Sequence, residues 1–229
     1  MKRPRFRRPS GVDAFTRTEL AMSAACVALL VAVAGSAQQD VRERSASTNC
    51  SFNIRFLSLA LRLFSNDNRE TFPMSLSAAK GGSRQSAETG EAFRHFTALN
   101  KQLTPADLRR LVCPADPGRA ALGDFSRLSN RNLSYWLGLD ADETHPAMFL
   151  LGDRNLTNGT TSVHHILALG AEPPAGWTGE LHHGQGNIGL VDGSVATTTP
   201  ATLAEKLAKA NMSAPKRLTR IQLPEIEKP

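Results

Sequence analysis

The sequence predicts an α+β chain in which a long N-terminal helix packs on a small antiparallel sheet. Three observations carry that reading. Residues 20–37 form an uncharged apolar run of 18 residues. Further along, Cys50, Ile54, Leu57, Leu61 and Phe64 recur at three- and four-residue intervals, the spacing of one helix face. Towards the other end, Asp192-Gly193 separates Ile188-Gly189-Leu190-Val191 from Ser194-Val195-Ala196-Thr197. Asp-Gly is a hairpin signal because both central residues of the tightest turn need positive φ.

Length and charge narrow the function classes. The chain has 229 residues, 41% of them hydrophobic, which is room for one ordinary domain plus extensions. A pI of 9.6 would suit a nucleic-acid binder, but the charge is not spread that way. Residues 1–14 hold Lys2, Arg3, Arg5, Arg7, Arg8 and Asp13, a net of +4. Taking these from the 27 basic and 21 acidic residues leaves 22 and 20, so the remainder is only +2. No basic patch interleaves with aromatic residues, and nucleic acid is not an expected partner. Basic residues in the leader would instead hold the N-terminus on the cytoplasmic side of a membrane.

At about 1.5 Å per residue, residues 20–37 as a helix span roughly 27 Å, enough to cross a bilayer core. The run is rich in Ala, so its insertion is marginal by hydropathy alone. It reads three ways: as an anchor helix, as the apolar region of a cleaved signal peptide with Gly35-Ser36-Ala37 at the cut, or as a buried helix of a globular domain. Arg17 and Glu19 abut the run, which weighs against the signal peptide, and a buried helix leaves the basic leader unexplained. After Gln38-Gln39-Asp40, polar residues take over without a Pro or turn cluster. One helix of about 50 residues from Thr16 to Phe64 therefore fits, roughly 75 Å long. It stops at the turn-forming cluster Ser65-Asn66-Asp67-Asn68.

Beyond it, residues 80–91 read as a loop and residues 92–99 as a helix with Phe93 and Phe96 facing inward. Thr104 and Pro105 make an N-cap and first helical position. Residues 132–137, 147–151 and 163–169 read as strands. In the hairpin, a two-residue turn sets Leu190 opposite Val195 and Ile188 opposite Thr197. Thr199-Pro200 or Thr202 opens a helix with Leu203 and Leu207 on one side. Residues 213–229 carry Pro215, Pro224 and Pro229 and read as a flexible tail. The organisation is thus a leader (1–14), a transmembrane or filament-core helix (15–37), its amphipathic continuation (38–66), a globular α+β head (67–212) and the tail (213–229).

Of the three cysteines, Cys26 lies within the apolar run as a small apolar side chain. Cys50 and Cys113 fall in the part expected outside the membrane, where two thiols in an oxidising compartment can pair. Such a bridge closes a loop of about 60 residues and stabilises by ~4 kcal/mol on the loop-entropy model. Two buried free thiols are the alternative.

The string Ala14-Phe15-Thr16-Arg17-Thr18-Glu19-Leu20, behind a basic leader and ahead of the apolar run, resembles the processing site of type IV pilins and type II secretion pseudopilins. That resemblance implies a cut by prepilin peptidase between Ala14 and Phe15, and methylation of the new Phe15 amine. It implies that Glu19, fifth in the mature chain, neutralises the N-terminal amine of a neighbouring subunit. A carboxylate at the mouth of an apolar segment is costly unless paired, so such an ion pair rewards correct register. Arg17 and Thr18 stand where that family has apolar residues, and Ala14 replaces its commoner Gly. Two further stretches resemble pseudopilin-like proteins of the Planctomycetes and Verrucomicrobia type: Asn49-Cys50-Ser51-Phe52-Asn53 through Phe72-Pro73, and His182 followed after nine residues by Asp192-Gly193. Gly152-Asp153-Arg154-Asn155-Leu156 is similar to a recurrent stretch of the same group. The implied function is a pseudopilin-like subunit of a type II secretion or type IV pilus-like system. Its expected partners are prepilin peptidase, other pilin-like subunits and the inner membrane. The chain would cross that membrane once, with its head in the periplasm or in a filament. The rival is a secreted periplasmic or extracellular binding domain that begins near Gln38.

Little else in the sequence carries chemistry. His182, Asp192 and Asp153 are candidate ligands of a cation, carboxylates suiting Ca2+ and imidazole Zn2+. Against that, Asp-Gly makes a turn in any case and His182 packs beside its strand. His164-His165, as strand neighbours, should face opposite ways, one buried and one exposed. There is no phosphate-binding Gly loop, no His-Glu-x-x-His, no Gly-x-Ser-x-Gly elbow and no zinc-finger spacing of Cys. An enzyme is not expected, and neither is an obligatory cofactor.

Overall fold

Helix α1 (Arg17–Asp67) begins with a reciprocal cap in the computed structural model, which describes residues 16–160, 163–214 and 218–226, and for 32–40, 42 and 43 the backbone alone. The Thr16 N–H and hydroxyl both donate to Glu19 Oε2 at 2.9 Å, and the Glu19 N–H returns to Thr16 Oγ1 at 3.3 Å. That is a capping box, which satisfies donors that a helix start leaves orphaned. The chain divides into two units, Met1–Arg42 and Glu43–Pro229. In the second, Cys50, Ile54, Leu57, Ala60, Leu61 and Phe64 of α1 are all buried.

Two expectations fall here. Among the described residues, no helix is long and apolar enough to cross a membrane. The transmembrane anchor, and with it a single-pass inner-membrane placement, is overturned. The physical reason is the quality of the run rather than its length. Ten of residues 20–37 are Ala, Ser or Gly, which offer little apolar surface, and Arg17, Glu19 and Asp40 flank them. The pilin-like fold, with its long anchor helix on a small sheet, is overturned with it. The sheet has six strands, β1 (Tyr135–Gly138), β2 (Phe149–Asp153), β4 (Ile166–Leu169), β6 (Gly186–Leu190), β7 (Val195–Thr198) and β8 (Thr219–Gln222), in the order β4-β8-β1-β2-β6-β7. Every neighbouring pair is antiparallel. A separate ribbon pairs β3 (Leu156–Thr157) with β5 (Gly176–Trp177).

Helices cover both faces. Tyr135, Leu137 and Leu151 pack with Ile54, Leu57 and Leu61 of α1. Trp136, Phe149, Ile188 and Ile221 pack with Leu203, Leu207 and Ala210 of helix α4 (Pro200–Ser213). Tyr135 and Trp136 fall in different clusters because successive strand residues point to opposite faces. The β2–β6 register shifts between Phe149 and Leu151, so Leu150 and Leu151 both join the α1 face. Two short helices, α2 (Ser86–Thr89) and α3 (Phe93–Thr97), precede the sheet. Gly189 lets α1 approach closely: a Cβ there would lie 2.9 Å from both Ile54 Cγ2 and Ser58 Oγ.

The β6–β7 hairpin forms at Asp192-Gly193 but one residue out of the expected register. Ile188 pairs with Ala196 and Gly189 with Val195. Only Gly193 takes a left-handed φ, +84°, and its N–H donates to the Leu190 carbonyl at 3.0 Å. The loop therefore holds three residues, Val191, Asp192 and Gly193, a turn closed by a left-handed residue.

The segment read as a flexible tail supplies β8, which lies inside the sheet between β4 and β1. Ile221 and Gln222 are wholly buried. The Gln222 carboxamide accepts from His95 Nε2 at 2.6 Å and donates to the Ser86 carbonyl at 3.0 Å, while His95 Nδ1 lies 2.7 Å from Ser83 Oγ. Gln222 Oε1 can only accept, so His95 carries its proton on Nε2 and takes the Ser83 hydroxyl proton on Nδ1. Burial pushes the pKa of this imidazole down to about 4.

Candidate functional site

The sequence-derived candidates fall in four places. Ala14 and Phe15 lie outside the described residues. Glu19 is exposed and serves the cap of α1; hydrogen bonds from the Thr16 backbone, then its hydroxyl, hold its carboxyl below the usual range. Asp192 is exposed at the hairpin, where its carboxylate accepts from the Ser194 N–H at 2.8 Å and its carbonyl from Arg62 at 3.3 Å. The rest converge under α1.

Cys50 of α1 and Cys113, just beyond the 3-10 turn Pro105–Leu111, are joined as a disulfide with their Cα atoms 5.2 Å apart. Asp153 closes β2 directly opposite Tyr135 of β1 and is wholly buried. Its Oδ2 accepts from the Asn187 N–H at 2.7 Å and from Asn187 Nδ2 at 2.8 Å. Thr197 in turn donates to Asn187 Oδ1 at 2.7 Å. Asp153 Oδ1 has no hydrogen-bond partner among the described residues. Burial raises the Asp153 pKa to about 7, against the pull of the Asn187 hydrogen bonds. Tyr135 is pushed up by the same burial and by the Asp153 charge.

His182 enters from the loop before β6. His182, His183 and Gly184 take φ values of +49°, +53° and +75° in succession. For a residue with a Cβ that conformation costs ~1–2 kcal/mol, so the loop is held there by other contacts. Asn155 supplies them, its Nδ2 lying 3.0 Å from the carbonyls of Thr178, Leu181 and Gln185. Arg154 adds a two-pronged bond to the buried Asp116, at 2.7 and 2.9 Å, and a third to Glu180 at 2.6 Å. The stretch Asp153-Arg154-Asn155 thus places one carboxylate inside and anchors the loop that delivers the histidine to it.

The His182 side chain is only 3% exposed, with Nε2 3.5 Å from Asp153 Oδ2 and 3.4 Å from Cys113 Sγ. Burial, then the charge of His183, lowers its pKa and favours the neutral ring. Ligand atoms of Cys50, Cys113, Asp153 and His182 all lie within 4.8 Å of one another. Of the three expected cation ligands, His182 and Asp153 meet, Asp192 does not join them, and the two sulfurs of the disulfide lie beside the pair. Nothing local in the sequence could show this, since Cys50 and Cys113 are 63 positions apart.

His164-His165 departs from its expected strand placement. Both residues take left-handed φ, +50° and +61°, in a turn before β4. His165 Nδ1 lies 3.0 Å from Glu225 Oε2 at the surface.

Compared with protein-family models, with curated proteins and with solved structures, the chain matches none, and the likeness to pseudopilin-like proteins rests on the motifs quoted above.

Proposed function

We propose that the chain is a pseudopilin-like subunit of a type II secretion or type IV pilus-like machine. In this reading prepilin peptidase removes the leader ahead of Phe15, and the first stretch of α1 packs against other pilin-like subunits. One observation supports it above the rest: Leu20, Met22, Leu29, Leu30 and Val31 of α1 are 65–71% exposed. Large apolar side chains along one helical stretch gain free energy when a second apolar surface covers them, at about 25 cal/mol per Å². The capping box leaves Glu19 at the head of that stretch, where the helix dipole favours an anion, and in this reading its carboxylate neutralises a neighbouring subunit's amine.

Cys26, exposed within the same stretch and free, is a built-in reporter. The chain is to be produced together with a prepilin peptidase, its N-terminus sequenced, and the preparation oxidised to join neighbouring thiols. The expected result is a mature chain beginning at Phe15 that forms dimers linked through Cys26. A mature chain beginning at Gln38 would instead establish the secreted binding domain, and absence of Cys26 cross-links from the Phe15 form would remove the assembly role.

A further inference from the structure

We propose that the Cys50–Cys113 disulfide conceals a metal site: once reduced, Cys50, Cys113, His182 and Asp153 bind a single Zn2+ ion as a four-ligand set. Two thiolates, an imidazole and a carboxylate are the donor types that zinc takes in tetrahedral sites. With bond lengths of about 2.3 Å to sulfur and about 2.0 Å to nitrogen or oxygen, tetrahedral geometry sets neighbouring ligand atoms roughly 3.3–3.8 Å apart. His182 Nε2 already stands 3.4 Å from Cys113 Sγ and 3.5 Å from Asp153 Oδ2. All four donors lie within 4.8 Å of one another. The sulfurs alone are too close, because they are bonded, and breaking that bond lets them part.

The Asp153 carboxylate points independently to a ligand. It is wholly buried and Asn187 occupies one oxygen twice, yet Oδ1 has no partner among the described residues. A buried oxygen left so carries a desolvation cost that a cation removes. Asn187, itself held by Thr197, fixes the carboxylate as outer partners of metal ligands do. Sulfur and imidazole select zinc over the hard cations Ca2+ and Mg2+.

The chemistry balances with a dithiol as reductant. Two electrons pass from the dithiol to the S–S bond, which breaks to give two thiols, and the reductant closes into its own disulfide. Zn2+ then displaces one proton from each thiol to solvent as the two Zn–S bonds form. A disulfide sulfur is a poor donor, so the oxidised chain has no four-ligand set. Oxidation and metal binding thus exclude one another at the same pair of sulfurs.

The test uses the full chain, reduced with a dithiol, freed of it under inert gas, and titrated with Co2+ and then Zn2+. The expected result is uptake of a single Co2+ per reduced chain with a thiolate-to-cobalt absorption band that Zn2+ abolishes, and no uptake by the oxidised chain. His182→Gln and Asp153→Asn should each weaken Zn2+ binding at least about tenfold. A reduced chain that keeps its near-ultraviolet circular dichroism and takes up no Co2+ overturns the proposal. So does undiminished affinity in the combined His182→Gln and Asp153→Asn variant. Should reduction unfold the chain, Zn2+ is added to the reduced form: return of the near-ultraviolet signal supports the site, and no return overturns it.

Discussion

Against α4 the sheet buries Trp136, Phe149, Ile188, Leu203, Leu207 and Ile221, an apolar contact with Trp136 and Phe149 stacked 5.9 Å apart. Against α1 it also buries leucines, but among them sit Asp153, Asn187, Tyr135, a disulfide and the His182 ring. Both faces are buried. What differs is which variables each responds to. Apolar burial is nearly indifferent to protons and electrons, whereas a buried carboxyl, imidazole and disulfide make the α1 face respond to both.

The largest effect expected on the α1 face comes from the disulfide. Replacing both Cys50 and Cys113 by Ala should cost about 4 kcal/mol in denaturant unfolding. Reduction of the wild-type chain without metal should cost a similar amount; an unchanged midpoint would erase the redox half of the comparison. Opposite it, Leu203→Ala should cost about 3 kcal/mol by leaving a cavity under α4. That loss should be the same at pH 5 and pH 8, and a pH-dependent loss would show that the faces are not separable.

Gly189→Ala sharpens the comparison from the packing side. The added methyl meets Ile54 and Ser58 at 2.9 Å, and the change should cost about 2 kcal/mol as α1 is pushed outward. A neutral result in thermal unfolding would mean that α1 seats loosely on the sheet.

The smallest expected effects are titrations, and their signs oppose. Burial raises the folded pKa of Asp153 from an ordinary 3.8 to about 7. Its contribution is therefore fully present below pH 3.8 and lost as pH rises through 7, a loss that Asp153→Asn should not show. His95 is depressed from 6.5 to about 4, so its contribution is present above pH 6.5 and lost as pH falls through 4. Unfolding of wild type, Asp153→Asn and His95→Gln across this range separates the two. Parallel curves for wild type and Asp153→Asn would mean that the carboxyl titrates normally.

The parts of this molecule legible in its sequence are those in which neighbours in sequence do the work. The stripe from Cys50 to Phe64 is written at helical spacing, and Thr199-Pro200 announces α4 with a cap and a fixed φ. The Asp192-Gly193 turn was legible in place but not in register, because only the glycine adopts the left-handed conformation and the loop gains a residue. Membrane length was read from the count of uncharged residues in 20–37, while spanning depends on how much apolar surface each residue offers. β8 was illegible because Thr219 to Gln222 alternates weakly and lies between Pro215 and Pro224; its partners, Ile166 to Leu169, Leu137 and Gly138, lie far back in the chain. At the site, Asp192 was linked to His182 by nearness in sequence, and the true neighbours, Cys50 and Cys113, come from elements distant along the chain.

The position of β8 also orders events in time. It is the strand that joins β4 to β1, since those two do not touch each other in the sheet. A ribosome must therefore have added residue 219 and those after it before β4 gains any neighbour in the sheet, and until then one edge of β1 stays open. Open strand edges recruit other chains, so until β8 arrives the nascent protein is exposed to self-association along that seam. A stop codon ahead of Thr219 would leave that seam permanently open, and such a truncated chain is expected to self-associate along it.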